Sequence, residues 1–251
     1  EETKEKGYYY TVENNPEDIT GGYLLELDVA DYGEEVSRFI TKDRKNKVTL
    51  KRATYSSEEQ VKYIANYWQE FEDGLLAPTG ENSQGKRYTE YIDLESFAMQ
   101  WLMYELAQED SMKSSIYYYK ESDLDGDGLL HACYPWDLER SYCNLEQLNE
   151  FWNVNMQGEY WQAFYQHEDF RKEVARVWLE KLLPAVELMM VQDVVGAEKG
   201  LKNLSWYENY LQEINYIENI RWNDSKMIEK CETIRYILSV RKDVLTSIFA
   251  I

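Results

Sequence analysis

The chain has 251 residues, 44% hydrophobic and 15% aromatic, with 22 Tyr and 8 Trp but only 4 Pro and 12 Gly. Such a chain buries a sizeable core without disulfides or metal, and its composition excludes a disordered protein. Its 27 basic and 47 acidic residues give a net charge of −20, which argues against nucleic-acid partners and against adsorption to an anionic membrane. No run reaches the roughly 18 apolar residues of a membrane span, so no membrane insertion is expected. The opening EETKEKG, without Met, reads as the inside of a longer precursor. Three cysteines, Cys133, Cys143 and Cys231, are an odd number. They read as semi-buried thiols, with a Cys133–Cys143 pair as the alternative. His131 and His167 are too far apart in sequence for an expected Cys/His zinc site.

From Gly7 to about Ala53 the chain reads as strands. Gly21–Asp28 is a β-rich run after the turn signal Asn14-Asn15-Pro16. Val36–Thr41 and Val48–Lys51 read as hairpin arms around Asp43–Asn46, each burying one face. Ser56 and Glu59 have capping-box spacing. Val61, Ile64, Trp68, Phe71 and Leu75 follow at helical intervals, and Pro78 and Gly80 end the helix. Gly85–Tyr91 reads as a loop. Asp93 then caps a helix with Phe97, Trp101, Leu102 and Leu106 on its apolar face, running out near Asp110.

Ser115–Lys120 and Leu129–Tyr134 read as strands around the turn at 123–128. From Leu145 onward only helices are expected: Asp169–Val194 interrupted at Pro184, Glu198–Arg221, and Ser225–Phe249. The expected fold is a single α+β domain, a small antiparallel sheet carrying a helical lobe.

Several residue sets carry chemistry. Asp123-Leu-Asp-Gly-Asp-Gly128 resembles the start of a calcium loop, but position twelve, where a bidentate acid belongs, is Tyr134. A plain hairpin turn is the simpler reading; a weak calcium site with fewer ligands is the alternative. Seven basic residues fall between Arg38 and Arg52, opposed only by Asp43. They read either as a solvated hairpin tip or as a face turned to an anionic ligand such as phosphate. Lys51 stands out because it lies within a strand. Asp110 follows a helix C-terminus, where negative charge is disfavoured, with Glu105 and Glu109 close by. Asp137 follows Pro135-Trp136 at a strand end, and with Glu139 it could chelate a hard divalent cation.

Taken in order, these segments resemble the spore-coat protein H (CotH) family of atypical protein kinases. The resemblance rests on Gly21–Asp28, the helix after Ser56, Tyr91–Phe97, Tyr104-Glu105-Leu106 with Asp110, Ser115–Lys120 and Pro135-Trp136-Asp137. Asn219–Trp222 and a final helix with Arg241 follow. The resemblance implies a protein-kinase-like fold and phosphoryl transfer from ATP, with Mg²⁺ or Mn²⁺, to hydroxyls of a protein substrate. It implies Asp110 as catalytic base and Asp137, with Glu139, as metal ligand. It implies Lys51 as the cation on the phosphates, with Glu26 orienting it and Lys120 as the alternative cation. An extracellular, cell-surface or spore-coat location is implied too.

Two departures from the family pattern bear on activity. The motif Trp-Asp-x-Asp reads Trp136-Asp137-Leu138-Glu139 here, one methylene longer at the second acid, and Cys143 stands where the family has glycine. The strands that precede Gly21 in the family are missing or reduced to Gly7–Asp18. The alternatives are a non-catalytic relative serving as a coat or cell-surface interaction module, and an unrelated extracellular module recognising glycans through Trp and Tyr.

Overall fold

A computed structural model describes residues 18–28, 37–52, 56–109, 115–136, 138, 141, 145–151, 160–195, 202–222 and 227–250. The chain forms two compact units. One comprises Glu1–Ser141 with Trp152–Val174, the other Tyr142–Phe151 with Ala175–Ile251.

The first unit is built on a five-stranded antiparallel sheet. Its strands are β1 (Tyr23–Asp28), β2 (Arg38–Ile40), β3 (Lys47–Arg52), β4 (Ile116–Lys120) and β5 (Leu130–Ala132). Their order is β2-β3-β1-β4-β5, and every pairing is antiparallel. The α+β class expected from the sequence is the observed one, with two helices between β3 and β4 and only helical elements described after β5.

Alternation along the strands gives the sheet two unlike faces. Leu25 lies opposite Leu50 and Tyr118, and Leu27 opposite Val48 and Ile116. All six are buried. This inner face packs on helix α1 (Glu58–Leu76) and helix α2 (Leu94–Ala107). Trp68 of α1 sits at the centre, 1% exposed, edge-on to Phe39, Phe71 and Tyr118. Phe97 of α2 also stacks on Tyr118, with centroids 5.4 Å apart. The opposite face carries polar residues: Glu26 lies across from Thr49 and Tyr117.

Helix α1 starts one residue later than the sequence suggests. Ser57 is the cap, accepting from the Gln60 amide, while the Gln60 side chain accepts from the Ser57 amide at 2.8 Å. Gln60 is buried and Glu59 is exposed. A neutral amide tolerates burial at the helix start far better than a carboxylate, which decides between the two overlapping boxes. Ser57→Ala is expected to cost about 1 kcal/mol, read from the urea midpoint at unchanged m-value. Asp93 caps α2 by accepting from Ser96 N at 2.7 Å. The predicted loop after Gly85 holds a short 3₁₀ turn at Tyr88–Glu90. Helix α3 (Trp161–Gln166) and helix α4 (Glu168–Val177) follow, and the Tyr88 hydroxyl donates to Asp169 at 2.6 Å.

The second unit is helical. A π-turn at Trp178–Leu182 joins α4 to α5 (Leu183–Met190), with the Leu183 amide bonded to the Trp178 carbonyl. Pro184 therefore opens α5 instead of breaking a helix, because the wide turn absorbs its missing donor. Helix α5 ends at Met190, four residues before the predicted stop. Helix α6 (Leu204–Trp222) begins at an Asn203 cap. The predicted start at Glu198 lies outside the described residues. Helix α7 (Met227–Phe249) closes the fold. Its buried Arg241 donates to the carbonyls of Leu148 and Glu150 at 2.9 and 2.5 Å. No described helix is long and apolar enough to cross a membrane.

Candidate functional site

The polar face of the sheet holds the predicted strand lysine. Between Leu24 and Leu25 of β1 the pairing with β3 is irregular, so Leu24 faces Arg52 and Leu25 faces Leu50, with Lys51 between. Lys51 Nζ lies 2.7 Å from Glu26 Oε2, and the Glu26 side chain is 7% exposed against 34% for Lys51. A nearly buried carboxylate on one strand thus holds the ammonium of a half-buried lysine on the next. The Tyr117 hydroxyl is hydrogen-bonded to the same Glu26 carboxylate. Its pKa is pushed up to about 12, first by burial and then by that carboxylate, so it stays a neutral donor. Nothing in the Tyr-rich run Tyr117-Tyr-Tyr119 singles out Tyr117. Only its register, opposite Glu26, gives it this place.

Lys120 lies elsewhere. It is opposite Tyr23, on the inner face, with its side chain fully buried. Its ammonium donates to Asp123 Oδ1 at 2.9 Å and to the Glu121 carbonyl at 3.0 Å, and lies 4.5 Å from the Tyr67 ring. Burial lowers its pKa, and Asp123 acts in the opposite direction. The structure therefore brings Lys51 and Glu26 together and places Lys120 on the other side of the sheet.

Asp110, Asp137 and Glu139 lie outside the described residues, but Glu109, Trp136, Leu138 and Ser141 lie within them. Trp136 packs edge-on against Tyr117, with centroids 6.3 Å apart, so the residue before Asp137 touches the tyrosine that bonds Glu26. Helix α2 ends with Gln108 in the left-handed region, φ 50°. The next residue, buried Glu109, accepts from Ser141 Oγ at 2.8 Å. The residue before Asp110 thus bonds the second residue after Glu139.

The basic run divides. Lys42, Arg44 and Lys45 are exposed at the β2–β3 tip, while Lys51 is engaged by Glu26. The 123–128 turn is exposed except for Gly128. Cys133 is a free thiol, its pKa pushed up to about 11 by burial; the side chains of Cys143 and Cys231 lie outside the described residues.

An antiparallel sheet with one helix-covered face, and a lysine–glutamate pair fixed on the other, defines an α+β domain with a cation presented from a rigid strand. The model of the family described as CotH kinase protein matches residues 2–191, and the chain belongs to the CotH family. The match begins well before residue 20, where the resemblance read from the sequence starts. No curated protein and no solved structure was found to match the chain.

Proposed function

We propose that this CotH-family domain transfers the terminal phosphoryl group of ATP to hydroxyls of a protein substrate, with Mg²⁺ or Mn²⁺. The observation that carries the reading is the 2.7 Å Lys51–Glu26 pair on the polar face of the sheet. Phosphoryl transfer depends on positioning and electrostatics more than on covalent chemistry by the protein. A lysine held by a nearly buried carboxylate is aimed before ligand arrives, and its side chain is partly exposed, so that its ammonium suits a phosphate oxygen. The Tyr117 hydroxyl keeps Glu26 in place.

In this reading Asp137 and Glu139 hold the metal, which when bound neutralises phosphate charge. Asp110 accepts the proton of the substrate hydroxyl as its oxygen bonds the γ-phosphorus and the bond to the β-phosphate oxygen breaks, releasing ADP. The Trp136–Tyr117 contact and the Glu109–Ser141 bond support this arrangement, because each ties a segment flanking these acids to another part of the same unit. Family membership likewise supports an extracellular or spore-coat location.

Thermal shift with Mg·ATP and Mn·ATP tests the proposal. Wild-type protein is expected to be stabilised, by about 2.7 kcal/mol at a ligand concentration a hundred times Kd. Lys51→Met should weaken that nucleotide binding by about tenfold, which corresponds to about 1.4 kcal/mol. Glu26→Gln should weaken it less, since the lysine remains but loses its guide. If wild type shows no metal-dependent nucleotide binding, the non-catalytic interaction module replaces the kinase reading.

A further inference from the structure

The β4–β5 hairpin carries a cluster that the lysine–glutamate site does not use. Glu121, Asp127 and His131 each offer a ligand atom, and the three atoms lie within 4.8 Å of one another. Contacts within the hairpin hold them in place. The His131 ring stacks on Tyr119 with centroids 4.6 Å apart and planes 5° apart. Its Nε2 stands 3.1 Å from Asp127 Oδ1 and 3.0 Å from Oδ2. Asp127 Oδ1 also accepts from Leu129 N at 2.8 Å, and Glu121 Oε2 accepts from Asp127 N at 3.2 Å. Gly126 makes room for this: a Cβ there would stand 2.5 Å from Glu121 Oε2. On the far side of the imidazole, Asp93 Oδ1 faces Nδ1 at 3.9 Å, the place a carboxylate takes behind a metal-bound histidine.

We infer that Glu121, Asp127 and His131 form a site for a divalent transition metal such as Zn²⁺ or Co²⁺, clasping the β4–β5 hairpin. The chemistry of the donors sets the metal class. Calcium takes six to eight oxygens. Asp123, the first acid of the calcium-like run, is held by Lys120 at 2.9 Å, and position twelve is Tyr134, 83% exposed. An imidazole with two carboxylates suits zinc or cobalt instead. Around such an ion, at bonds of about 2.1 Å, donors stand about 3.4 Å apart, so the side chains need close by only about an ångström. The loaded site uses a neutral imidazole, with Nε2 on the metal and the Nδ1 proton towards Asp93. The site joins the β4–β5 connection to the edge strand β5, shares no residue with the Lys51–Glu26 pair, and needs no nucleotide.

Titration of the whole chain with Zn²⁺, Co²⁺ and Ca²⁺, without nucleotide, tests the inference by calorimetry and by the cobalt absorption spectrum. Zinc and cobalt are expected to bind one to one, and calcium at the same concentrations to give no heat. Cobalt should give weak visible bands without a thiolate charge-transfer band. His131→Gln, and separately Glu121→Gln, should each weaken binding by about tenfold or more, with the metal-free melting temperature recorded for both. Glu121→Gln keeps the test decisive if His131→Gln fails to fold. Absence of zinc and cobalt binding, affinity unchanged in these variants, or a thiolate band pointing to Cys133 would each overturn the assignment.

Discussion

Asp110→Asn is expected to abolish phosphoryl transfer while leaving Mg·ATP binding intact. A general base contributes about 10²–10⁴-fold to rate, and it acts on the substrate hydroxyl without contacting the nucleotide in the ground state. Asp137→Asn should behave differently. Asparagine keeps the shape of aspartate but removes the charge that a divalent ion requires, so metal-dependent nucleotide binding should fall by about tenfold or more, which is about 1.4 kcal/mol. The two variants therefore separate the proposed roles: one loses turnover at constant Kd, the other loses affinity. Radiolabel transfer to a generic protein acceptor, measured beside nucleotide-dependent thermal shift, distinguishes them. Asp110→Asn with undiminished turnover would remove the base assignment, and Asp137→Asn with unchanged affinity would remove the metal assignment. Both substitutions fall within the matched span of the CotH family.

Trp68→Ala is expected to be the most destabilising single change in the first unit, by about 4 kcal/mol. Trp68 meets Phe39 of β2, Phe71 of its own helix and Tyr118 of β4. Its indole N–H donates to the Tyr160 hydroxyl at 3.0 Å, and Tyr160 in turn donates to the buried Glu72 carboxylate. Truncation removes the ring that joins sheet to helix and leaves a cavity too well framed to collapse. The Tyr160–Glu72 bond would then face a void. For a chain of this size each kcal/mol lowers Tm by about 2–4 °C, so a loss on the order of 10 °C is expected, followed by near-UV circular dichroism. Trp68→Phe should recover part of it by refilling the volume, but not the bond to Tyr160. A loss below about 1 kcal/mol for the alanine variant would show that Trp68 is not the centre of this core.

The polar face was legible only in part. Glu26 and Lys51 stand out as charges inside runs of β-forming residues, and the resemblance to CotH proteins links them. Tyr117 and the opposite placement of Lys120 were not legible, because both follow from strand register. A one-residue shift in pairing exchanges the two faces of a strand, and registry is set by contacts between segments far apart in the chain. Glu109 looked like one more acid crowding a helix end; its bond to Ser141 depends on two loops meeting.

The sequence by itself determined the element types, the α+β class, the apolar stripe of α1 and the Asp93 cap, because periodicity and capping act over a few neighbouring residues. It also carried the family, through short motifs in a fixed order. Tertiary structure alone decided the rest. It chose Ser57 over Ser56 as the cap, because Gln60 could be buried where Glu59 could not. It turned the Pro184 break into a π-turn. It sent Asp123 to Lys120 and Asp127 to His131, since the shape of the turn and the register of β4 on β5 decide which of several nearby side chains come within reach.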